Sequence, residues 1–412
     1  MREFFALAFA LLGSSAIAAP WVFDAPISVS HGPALQTFSH LESAGRKSIA
    51  VSAGWVAVTW EDNRDGVSRC YVALKAPDKA VFANEMRVSG AVEAFEPAII
   101  SLDKGRFALA WEEGGRIRAR LLAADGLGNP ITLGTNAAAQ VSLGYAQPNG
   151  FFAVWSEKQK QFWQVKVAHL IRARGTLKAG GAHSIESGID GDQSYPSIAV
   201  LNTQKLVVAW EDRRAGHTRI LSSTSKNGGA DFTPPQQIND AIWLGQMNGF
   251  GRGTGVMRVA LSRYGDDGVA AVWADKRNFL SGYDVYMARM PGAAHAFGAN
   301  EKAQDDFGNE IAQWHPAIGA DHQGRIAIVW DDDRDGTPDI WLAWRNAGGW
   351  SDNLAVPGAS GPGVQSDPSI VLDERGNLHL AWVEKAELNS PSHIRYVLGR
   401  RVGDAEDLSP AQ

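Results

Sequence analysis

A short apolar segment that ends in tryptophan recurs seven times in this chain of 412 residues. The mean spacing between successive tryptophans is about 54 residues, and a regular period of this length is typical of propellers, solenoids and other repeat arrays. The repeat therefore constrains the fold before any single residue is considered. The seven tryptophans are Trp60, Trp111, Trp155, Trp210, Trp273, Trp330 and Trp382.

The repeated unit consists of four short candidate strands joined by turns. One unit opens after a proline at residues 196–199, continues with the tryptophan-ending segment at 206–210, and ends with a polar segment at 236–239. A polar turn leads to a third strand, as at residues 284–286 of the next unit. Glycine and asparagine between the segments mark tight turns. This order predicts one antiparallel four-stranded sheet per unit.

The tryptophan-ending strand is apolar on both of its faces, as at residues 269–273. Such a strand is buried from both sides, and sheets stacked face to face around an axis provide that environment. Small residues then fit near the axis, and each tryptophan fills the gap toward the next sheet. We therefore predict an all-β fold, a seven-bladed β-propeller. A six-bladed ring is the alternative, because the units at Trp111 and Trp155 match the repeat least well.

The last unit lacks a fourth strand, whereas the N-terminal part of the chain has one to spare. Residues 26–30 resemble the fourth strands of the other units. Pairing this segment with the last blade would close the ring and remove two exposed sheet edges. We therefore predict a single propeller domain over residues 21–412, with an N-terminal strand that closes the last blade.

The first 18 residues predict a secretory signal peptide, because Arg2 precedes an apolar run at 4–12 and small residues at 16–18. The run is shorter than the ~20 residues that a membrane span needs, so a membrane anchor is the less favoured alternative. We expect a periplasmic or secreted protein without a membrane span. The single cysteine, Cys70, suits an oxidising compartment because it has no partner for a wrong disulfide.

The formal net charge is −6, from 39 lysines and arginines against 45 aspartates and glutamates. This slightly acidic balance gives no excess of basic residues of the kind that binds nucleic acid. One cysteine also excludes a disulfide framework and a zinc site built from several cysteines. The expected partner is a carbohydrate or a protein outside the cytoplasm, and the chain is expected to be a monomer.

Two sequence patterns resemble a known family. Residues 225–232 follow the pattern Ser-x-Asn-x-Gly-x-x-Phe, and a Trp-acid-Asp-x-Arg-x-Gly turn recurs at 60–66, 210–216 and 330–336. In these features the chain resembles the sialidase-like propellers with BNR repeats, in which the first pattern is called the Asp box. The resemblance implies a propeller fold, and it implies that residues 225–232 are a structural turn.

The same resemblance bears on catalysis. Sialidases hold the substrate carboxylate with an arginine cluster, use a tyrosine–glutamate pair as nucleophile, and use an aspartate as acid. The resemblance would make Arg46 the first arginine of that cluster and Arg64 the second. However, Lys47 and Ser48 follow Arg46 where the family has Ile-Pro, and none of the seven tyrosines stands in a nucleophile motif.

Three functions therefore stay open at this stage. The first is an exported propeller that binds a glycan, another anionic or polar ligand, or a protein partner on its loop-bearing face. The second is a glycoside hydrolase of sialidase-like type. The third is a scaffold for assembling a periplasmic complex. Repeat patterns specify architecture and leave activity undetermined, because one fold can carry unrelated functions.

The turns after the repeat tryptophans carry candidate ligand residues. An arginine beside an aspartate can bind carboxylates or sugar hydroxyls. Alternatively, each pair closes its own turn, and recurrence in unlike blades favours this second interpretation. The pairs are Asp62 and Arg64, Asp212 and Arg214, Asp275 and Arg277, and Asp332 and Arg334.

One linker departs from the repeat by its length, at residues 240–254. Long loops on a rigid scaffold are common places for binding sites. In this linker Trp243, Phe250 and Arg252 are suited to cover a sugar or another flat ligand. The next linker adds Trp314 and His315 as candidates. We predict a ligand pocket over these blades.

A calcium site is a further hypothesis. Asp331, Asp333 and Asp335 stand at alternate positions before Gly336, a pattern that suits oxygen coordination of Ca²⁺. Against this, Leu342 occupies the position of the closing glutamate. Calcium is the cofactor for which the sequence offers a motif.

Overall fold

The structure is a computed structural model that describes residues 19–31, 37–41, 45–83, 85–146, 150–173, 176–240, 255–277, 282–305, 311–346 and 348–402. Within these ranges the chain forms 33 strands in seven antiparallel sheets, which we call blades 1 to 7 in chain order. The protein is a seven-bladed β-propeller, as predicted, and the six-bladed alternative is wrong.

The first two strands, β1 (Trp21–Phe23) and β2 (Ile27–Ser28), belong to the last blade. Blade 1 contains β3 (Ser39–His40), β4 (Ile49–Ser52), β5 (Trp55–Asp62), β6 (Arg69–Lys75) and β7 (Met86–Arg87). Blade 2 contains β8 (Ala94–Ser101), β9 (Phe107–Glu113), β10 (Arg116–Ala123), β11 (Gly126–Leu127) and β12 (Ile131–Thr132). Blade 3 contains β13 (Ala138–Ala146), β14 (Gly150–Gln159), β15 (Phe162–Ala173), β16 (Thr176–Ala179) and β17 (His183–Ser184).

The remaining blades follow the same order from the axis outward. Blade 4 contains β18 (Gln193–Val200), β19 (Leu206–Asp212), β20 (Arg219–Ser225) and β21 (Gln236–Gln237). Blade 5 contains β22 (Val256–Tyr264), β23 (Gly268–Asp275), β24 (Asp284–Met290) and β25 (Glu301–Lys302). Blade 6 contains β26 (Trp314–Ala320), β27 (Ile326–Asp332), β28 (Asp339–Asn346), β29 (Gly349–Trp350) and β30 (Leu354–Ala355). Blade 7 contains β31 (Val364–Leu372), β32 (Leu378–Lys385) and β33 (Ser392–Arg401).

Each pair of neighbouring blades encloses its own apolar core, and all seven repeat tryptophans are fully buried. Trp111 of blade 2 packs with Cys70 and Val72 of blade 1. Ala110 packs in the core toward blade 3, because successive side chains alternate between the two faces of a strand. The tryptophans therefore fill the gap toward the preceding blade, and the prediction that they face the next blade is wrong.

The N-terminal segment closes the ring. Trp21 of β1 pairs with Arg401 of β33, and Ile27 of β2 pairs with Tyr396 of the same strand. The Trp21 indole donates a hydrogen bond to the carbonyl oxygen of Gly376 at 2.8 Å. The predicted closure of the last blade by the first strands is confirmed.

Residues 225–232 form a turn that its own side chains close. The Ser225 hydroxyl accepts a hydrogen bond from the Gly229 amide at 2.9 Å, and the Asn227 side-chain oxygen accepts one from the Asp231 amide at 2.9 Å. Phe232 packs against the core between blades 3 and 4. These contacts give the segment a structural role.

The predicted signal peptide at residues 1–18 lies outside the described residues. In the described part of the chain, no helix has the length and hydropathy required to cross a membrane.

Candidate functional site

Six of the seven inner strands carry a bulge at the same level, near the face that holds the turns between second and third strands. Each bulge places one non-glycine residue in the left-handed region, with φ between 50° and 63°. Such a residue costs on the order of 1 kcal/mol, and this kind of strain clusters at functional sites. We call the six residues the axial ring. They are Glu96, Gln140, Tyr195, Arg258, His315 and Asp367.

Hydrogen bonds from the preceding blade hold most of these bulges. The Glu96 amide donates to the Glu61 carboxylate at 2.7 Å, and the Arg258 amide donates to the Glu211 carboxylate at 2.9 Å. The acceptors directly follow repeat tryptophans, so the repeat itself delivers carboxylates to the axial ring. The four acids of this kind are Glu61, Glu112, Glu211 and Asp331.

A segment of blade 1, residues 45–48, crosses the axis one level below the axial ring. The Gly45 carbonyl accepts hydrogen bonds from the hydroxyls of Ser142 at 3.0 Å and Ser197 at 3.1 Å, and the amide of residue 48 donates to Ser369 at 3.0 Å. Glycine is required at 45, because its φ is +72° and a Cβ atom would lie 2.5 Å from a carbonyl oxygen of blade 5. This crossing segment forms the floor of the site.

Arg46 stands in the crossing segment of blade 1, whose described residues show no bulge of this kind. Its side chain is 1% exposed. Its Nε donates to the carbonyl oxygen of Val141 at 3.1 Å, its guanidinium pairs with Glu96, and it lies 4.0 Å from the Glu112 carboxylate. The arginine that the sequence singled out is thus at the axis, and the Glu96 carboxylate of blade 2 pairs with it.

Glu96 and Glu112 are two carboxyl groups that share the Arg46 guanidinium, which pairs with Glu96 and lies 4.0 Å from Glu112. Burial, together with the negative charge of Glu96, raises the pKa of Glu112 to about 8, against the opposing effect of Arg46. The Glu112 side chain remains 17% exposed. The raised pKa favours the protonated form of Glu112 in a place that a ligand can reach, as a general acid requires.

A second cluster lies at blades 6 and 7. His315 Nδ1 is 2.8 Å from the Asp331 carboxylate, and Nε2 is 3.5 Å from the Asp367 carboxylate. Burial raises the pKa of Asp331, and the charge of His315 opposes this effect. The histidine thus bridges two carboxylates. Trp314 and His315, which the sequence assigned to a ligand-binding linker, lie at the axial ring.

Aromatic side chains extend this cluster toward blade 5. The rings of Tyr283 and Trp314 are 5.1 Å apart, and the Lys276 ammonium lies 5.6 Å from the Tyr283 ring. Burial and the negative charge of Glu211 raise the pKa of Tyr283. A tyrosine close to a glutamate is therefore present at the axis, although the sequence around Tyr283 gave no sign of it.

The Asp–Arg pairs lie in the turns of their own blades. The Asp275 carboxylate accepts hydrogen bonds from the Trp273 indole at 2.9 Å, the Arg277 amide at 2.9 Å and the Arg277 guanidinium at 2.7 Å. Asp212 makes the same three contacts with Trp210 and Arg214. The equivalent contacts of the other two turns connect Trp60, Asp62 and Arg64, and Trp330, Asp332 and Arg334.

The arginines of these turns have further partners within the propeller. Arg277 lies 3.8 Å from the Tyr286 ring and 2.9 Å from the Asp240 carboxylate, and Arg214 lies 2.9 Å from the Glu186 carboxylate. These contacts tie each turn to the linker before it. They favour the turn-closing interpretation, and recognition of a ligand by these pairs stays a prediction.

The calcium hypothesis does not fit the geometry. The Asp331 carboxylate is buried at the axis against His315, whereas Asp333 and Asp335 are exposed in the following turn. Among the described residues, no group of three or more His, Cys, Asp or Glu side chains is arranged to hold a metal ion. The prediction fails because one aspartate belongs to the strand and the other two belong to the turn.

Other predicted ligand residues, Trp243, Phe250 and Arg252, lie outside the described residues. The structure adds Glu96, Glu112, Asp367 and Tyr283, which sequence reasoning missed. A signal for two of them was present. Glu96 and Asp367 directly precede the prolines that open inner strands, where a polar side chain recurs from blade to blade.

No protein-family model matches the sequence, and no curated protein matches it either. Solved structures do match. The GH93 α-L-arabinofuranosidase of Fusarium graminearum, solved with arabinobiose, is 11% identical, with a TM-score of 0.47 over 73% of this chain and 91% of its own. An α-L-arabinanase of Penicillium chrysogenum, also solved with arabinobiose, is 11% identical, with a TM-score of 0.47 over 73% and 92%.

A third structure covers more of this chain. A puromycin-hydrolyzing peptidase of Mycobacterium tuberculosis is 11% identical, with a TM-score of 0.50 over 92% of this chain and 57% of its own. At such low identity the similarity concerns the fold alone, because a propeller carries many unrelated activities. The seven sheets establish the architecture: the chain is a seven-bladed β-propeller.

Proposed function

We propose that the protein is a glycoside hydrolase whose active site is the axial ring, with Glu112 as the general acid. The observation that carries the proposal is the placement of Glu96 and Glu112 around Arg46, where burial and the charge of Glu96 raise the pKa of Glu112 while its side chain remains accessible. Most glycoside hydrolases use two carboxyl groups, of which one is protonated and one is charged. In the repeat, an acid at the position of Glu112 accepts a hydrogen bond from a backbone amide of the next blade. The repeat gives no reason for the second carboxyl group, Glu96, beside it.

In the proposed reaction, Glu112 donates its proton to the glycosidic oxygen while the bond from that oxygen to the anomeric carbon breaks. The bonding electrons leave with the oxygen. The Asp367 carboxylate, 3.5 Å from His315, is the second group. It either removes a proton from the attacking water or first attacks the anomeric carbon itself. In both courses water supplies the new hydroxyl group. In the first, Asp367 releases the proton it took from water to solvent and Glu112 regains one from solvent; in the second, Glu112 takes its proton from the water that hydrolyses the glycosyl ester.

The test compares wild-type protein with Glu112→Gln on a panel of fluorogenic neutral glycosides. Removing the proton donor should lower kcat by about 10²- to 10⁴-fold, with an unchanged melting temperature. Glu374→Gln is the matched control, because Glu374 is exposed in the turn between β31 and β32, on the opposite face. Full activity of Glu112→Gln, or no turnover of any glycoside by the wild-type protein, would contradict the proposal.

A second candidate, the sialidase-like mechanism, is favoured by Tyr283 and Glu211. In that mechanism Tyr283 would be the nucleophile, Glu211 its base, and Arg46 a carboxylate-binding group. Turnover of a fluorogenic sialoside, with loss of turnover in Tyr283→Phe, would support it. The pairing of Arg46 with Glu96 weighs against it, because that guanidinium already has a counter-charge within the protein.

We also propose that the chain is exported after cleavage behind Ala18. The support is the order of charge, apolar run and small residues at the N-terminus. N-terminal sequencing of protein isolated from the periplasm or the medium should give Ala19 as the first residue. Retention of Met1 in a cytoplasmic fraction would contradict export. A protein partner and the monomeric state remain predictions.

A further inference from the structure

We infer that the axial site accepts uncharged, hydroxyl-rich sugar chains that stack on Phe95 and Trp314, and that it rejects acidic sugars. The inference rests on the proposed function and specifies its substrate class. It follows from three features of the described residues, namely the balance of charge at the axial ring, the exposed aromatic rings beside the carboxyl groups, and the closed floor.

Carboxyl groups outnumber cationic groups around the axial ring. The two arginines there have partners inside the protein: Arg46 is enclosed between Glu96 and Glu112, and the Arg258 guanidinium lies 3.9 Å from the Tyr195 ring. An acidic sugar would meet this excess of negative charge in a partly buried place, where repulsion is screened poorly. The carboxyl groups at the ring are Glu61, Glu96, Glu112, Glu211, Asp331 and Asp367.

Sugar hydroxyls fit the same environment. A carboxylate accepts hydrogen bonds and donates none, so several carboxylates around one cavity match a ligand that carries several hydroxyl donors. The Glu96–Glu112 pair lies in blade 2, and the His315 cluster lies in blades 6 and 7. A neutral sugar chain between these two groups could donate hydrogen bonds to the carboxylates of both without adding charge.

Two exposed aromatic rings stand beside these carboxyl groups. Phe95 pairs directly opposite Glu112, and Trp314 pairs directly opposite Asp331, so each ring shares a sheet face with the acid. Both side chains are 38% exposed. The apolar face of a sugar ring stacks on such aromatic surfaces, while its hydroxyls reach polar neighbours.

The positions of the two rings indicate a chain rather than a single sugar. Blades 2 and 6 are three steps apart in one direction and four in the other, which is as far apart as seven blades allow. The crossing segment at residues 45–48 closes the axis below. A ligand that touches both Phe95 and Trp314 must therefore lie across the face above the carboxyl groups.

The experiment uses the full chain with Glu112→Gln, which blocks turnover, and measures binding by calorimetry. The probes are xylotriose, arabinotriose and galactotriose as neutral chains, and 3′-sialyllactose and digalacturonate as acidic ones. We expect at least one neutral trisaccharide to bind and neither acidic sugar to do so. Adding Trp314→Ala or Phe95→Ala should weaken binding by roughly tenfold. Trp55→Ala is the control, because Trp55 lies at the opposite face, against Gly105.

The outcomes separate this inference from the proposed function. Tighter binding of either acidic sugar, no binding of any neutral trisaccharide, or unchanged affinity after both aromatic truncations would overturn the inference. Binding of a neutral trisaccharide that the wild-type protein does not cleave would leave the inference standing and reject the hydrolase. Cleavage of an acidic sugar by the wild-type protein would support the hydrolase and overturn the inferred preference for neutral sugars. Melting curves of each variant confirm that it is folded.

Discussion

The repeated turns and the axial ring use the same kinds of side chain with different results. In the turn of blade 5, Asp275 is fully buried and accepts hydrogen bonds from Trp273 and Arg277 of the same blade. At the axial ring, Arg46 of blade 1 meets Glu96 and Glu112 of blade 2. The turn recurs in four blades and stabilises each one separately. The ring brings unlike residues together once, as the binding of one ligand requires.

The comparison teaches where to look for function in a repeat protein. Conserved geometry from blade to blade, such as the Trp–Asp–Arg contacts, is explained by stability alone. Departures from the repeat are not explained by stability alone. The axial ring holds three of them: Arg46 in blade 1, a second carboxyl group in blade 2, and a histidine that bridges two carboxylates in blade 6. The predictions below test this division.

The largest expected effect on stability is at a repeat tryptophan away from the axial carboxyl groups. Trp155→Ala should lower the free energy of unfolding by about 3–5 kcal/mol, because Trp155 is fully buried between blades 2 and 3. Urea titration measures this loss. Glycosidase activity per folded molecule should stay at the wild-type level. A loss below ~1 kcal/mol would contradict the assigned core role.

A turn aspartate should show a smaller effect of the same kind. Asp62→Ala removes the acceptor of the Trp60 indole and one of the two carboxylates that pair with Arg64, which should cost about 3 kcal/mol. The matched control is Asp78→Ala, since Asp78 is exposed. If Asp62→Ala lost ligand binding while keeping its melting temperature, the turn would be functional and the comparison would fail.

A histidine of blade 7 makes the stability of the propeller depend on pH. His379 is buried between the Tyr396 hydroxyl, at 2.8 Å, and Asp373. Although burial opposes the shift, hydrogen bonds from His379 and Asn377 lower the pKa of Asp373 to about 2. Because this pKa is depressed on folding, the stabilisation is present above pH ~4 and is lost as the pH falls toward 2.

The variant Asp373→Asn should therefore lower stability by about 2 kcal/mol at pH 7, and it should flatten the acid limb of the stability curve between pH 4 and 2. Chemical denaturation over that range measures both effects. Asp352→Asn, at an exposed position, is the control. An acid limb that is unchanged in Asp373→Asn would contradict the assignment.

The smallest expected effect is a shift in the pH dependence of activity. The rate should fall above pH ~8 as Glu112 loses its proton. Glu96→Gln removes the negative charge that helps to raise this pKa, so the alkaline limb should move to lower pH by about one unit. The profile of kcat against pH measures the shift. If the alkaline limb did not move in Glu96→Gln, Glu96 would not influence the pKa of the general acid, and the prediction would be wrong.

Much of the fold followed from local sequence. The tryptophan-ending strands, the prolines that open inner strands and the spare N-terminal segment predicted seven blades and their closure, because a strand that is apolar on both faces has few places to be buried. The direction in which the tryptophans point was predicted wrongly. Successive side chains of a strand point to opposite faces of the sheet. Which of the two faces meets the preceding blade cannot be determined from the sequence of one strand.

The site was predicted in part. Arg46, Trp314 and His315 were identified and lie at the axis, whereas Glu96 and Glu112 were not singled out. An acid follows four of the seven repeat tryptophans, and in blade 2 this acid is the proposed proton donor. Sequence alone does not separate these roles, because the difference lies in which residue of another blade approaches the acid.

The sequence by itself determined the architecture, since each blade is specified by apolar segments within about fifty residues of one another. The tertiary structure alone decided the site. Arg46 and the Val141 carbonyl that it contacts are separated by 95 residues in the chain. Closing the ring brings the starts of all seven inner strands to one axis, and the burial that results raises the pKa of Glu112 above that of an exposed glutamate.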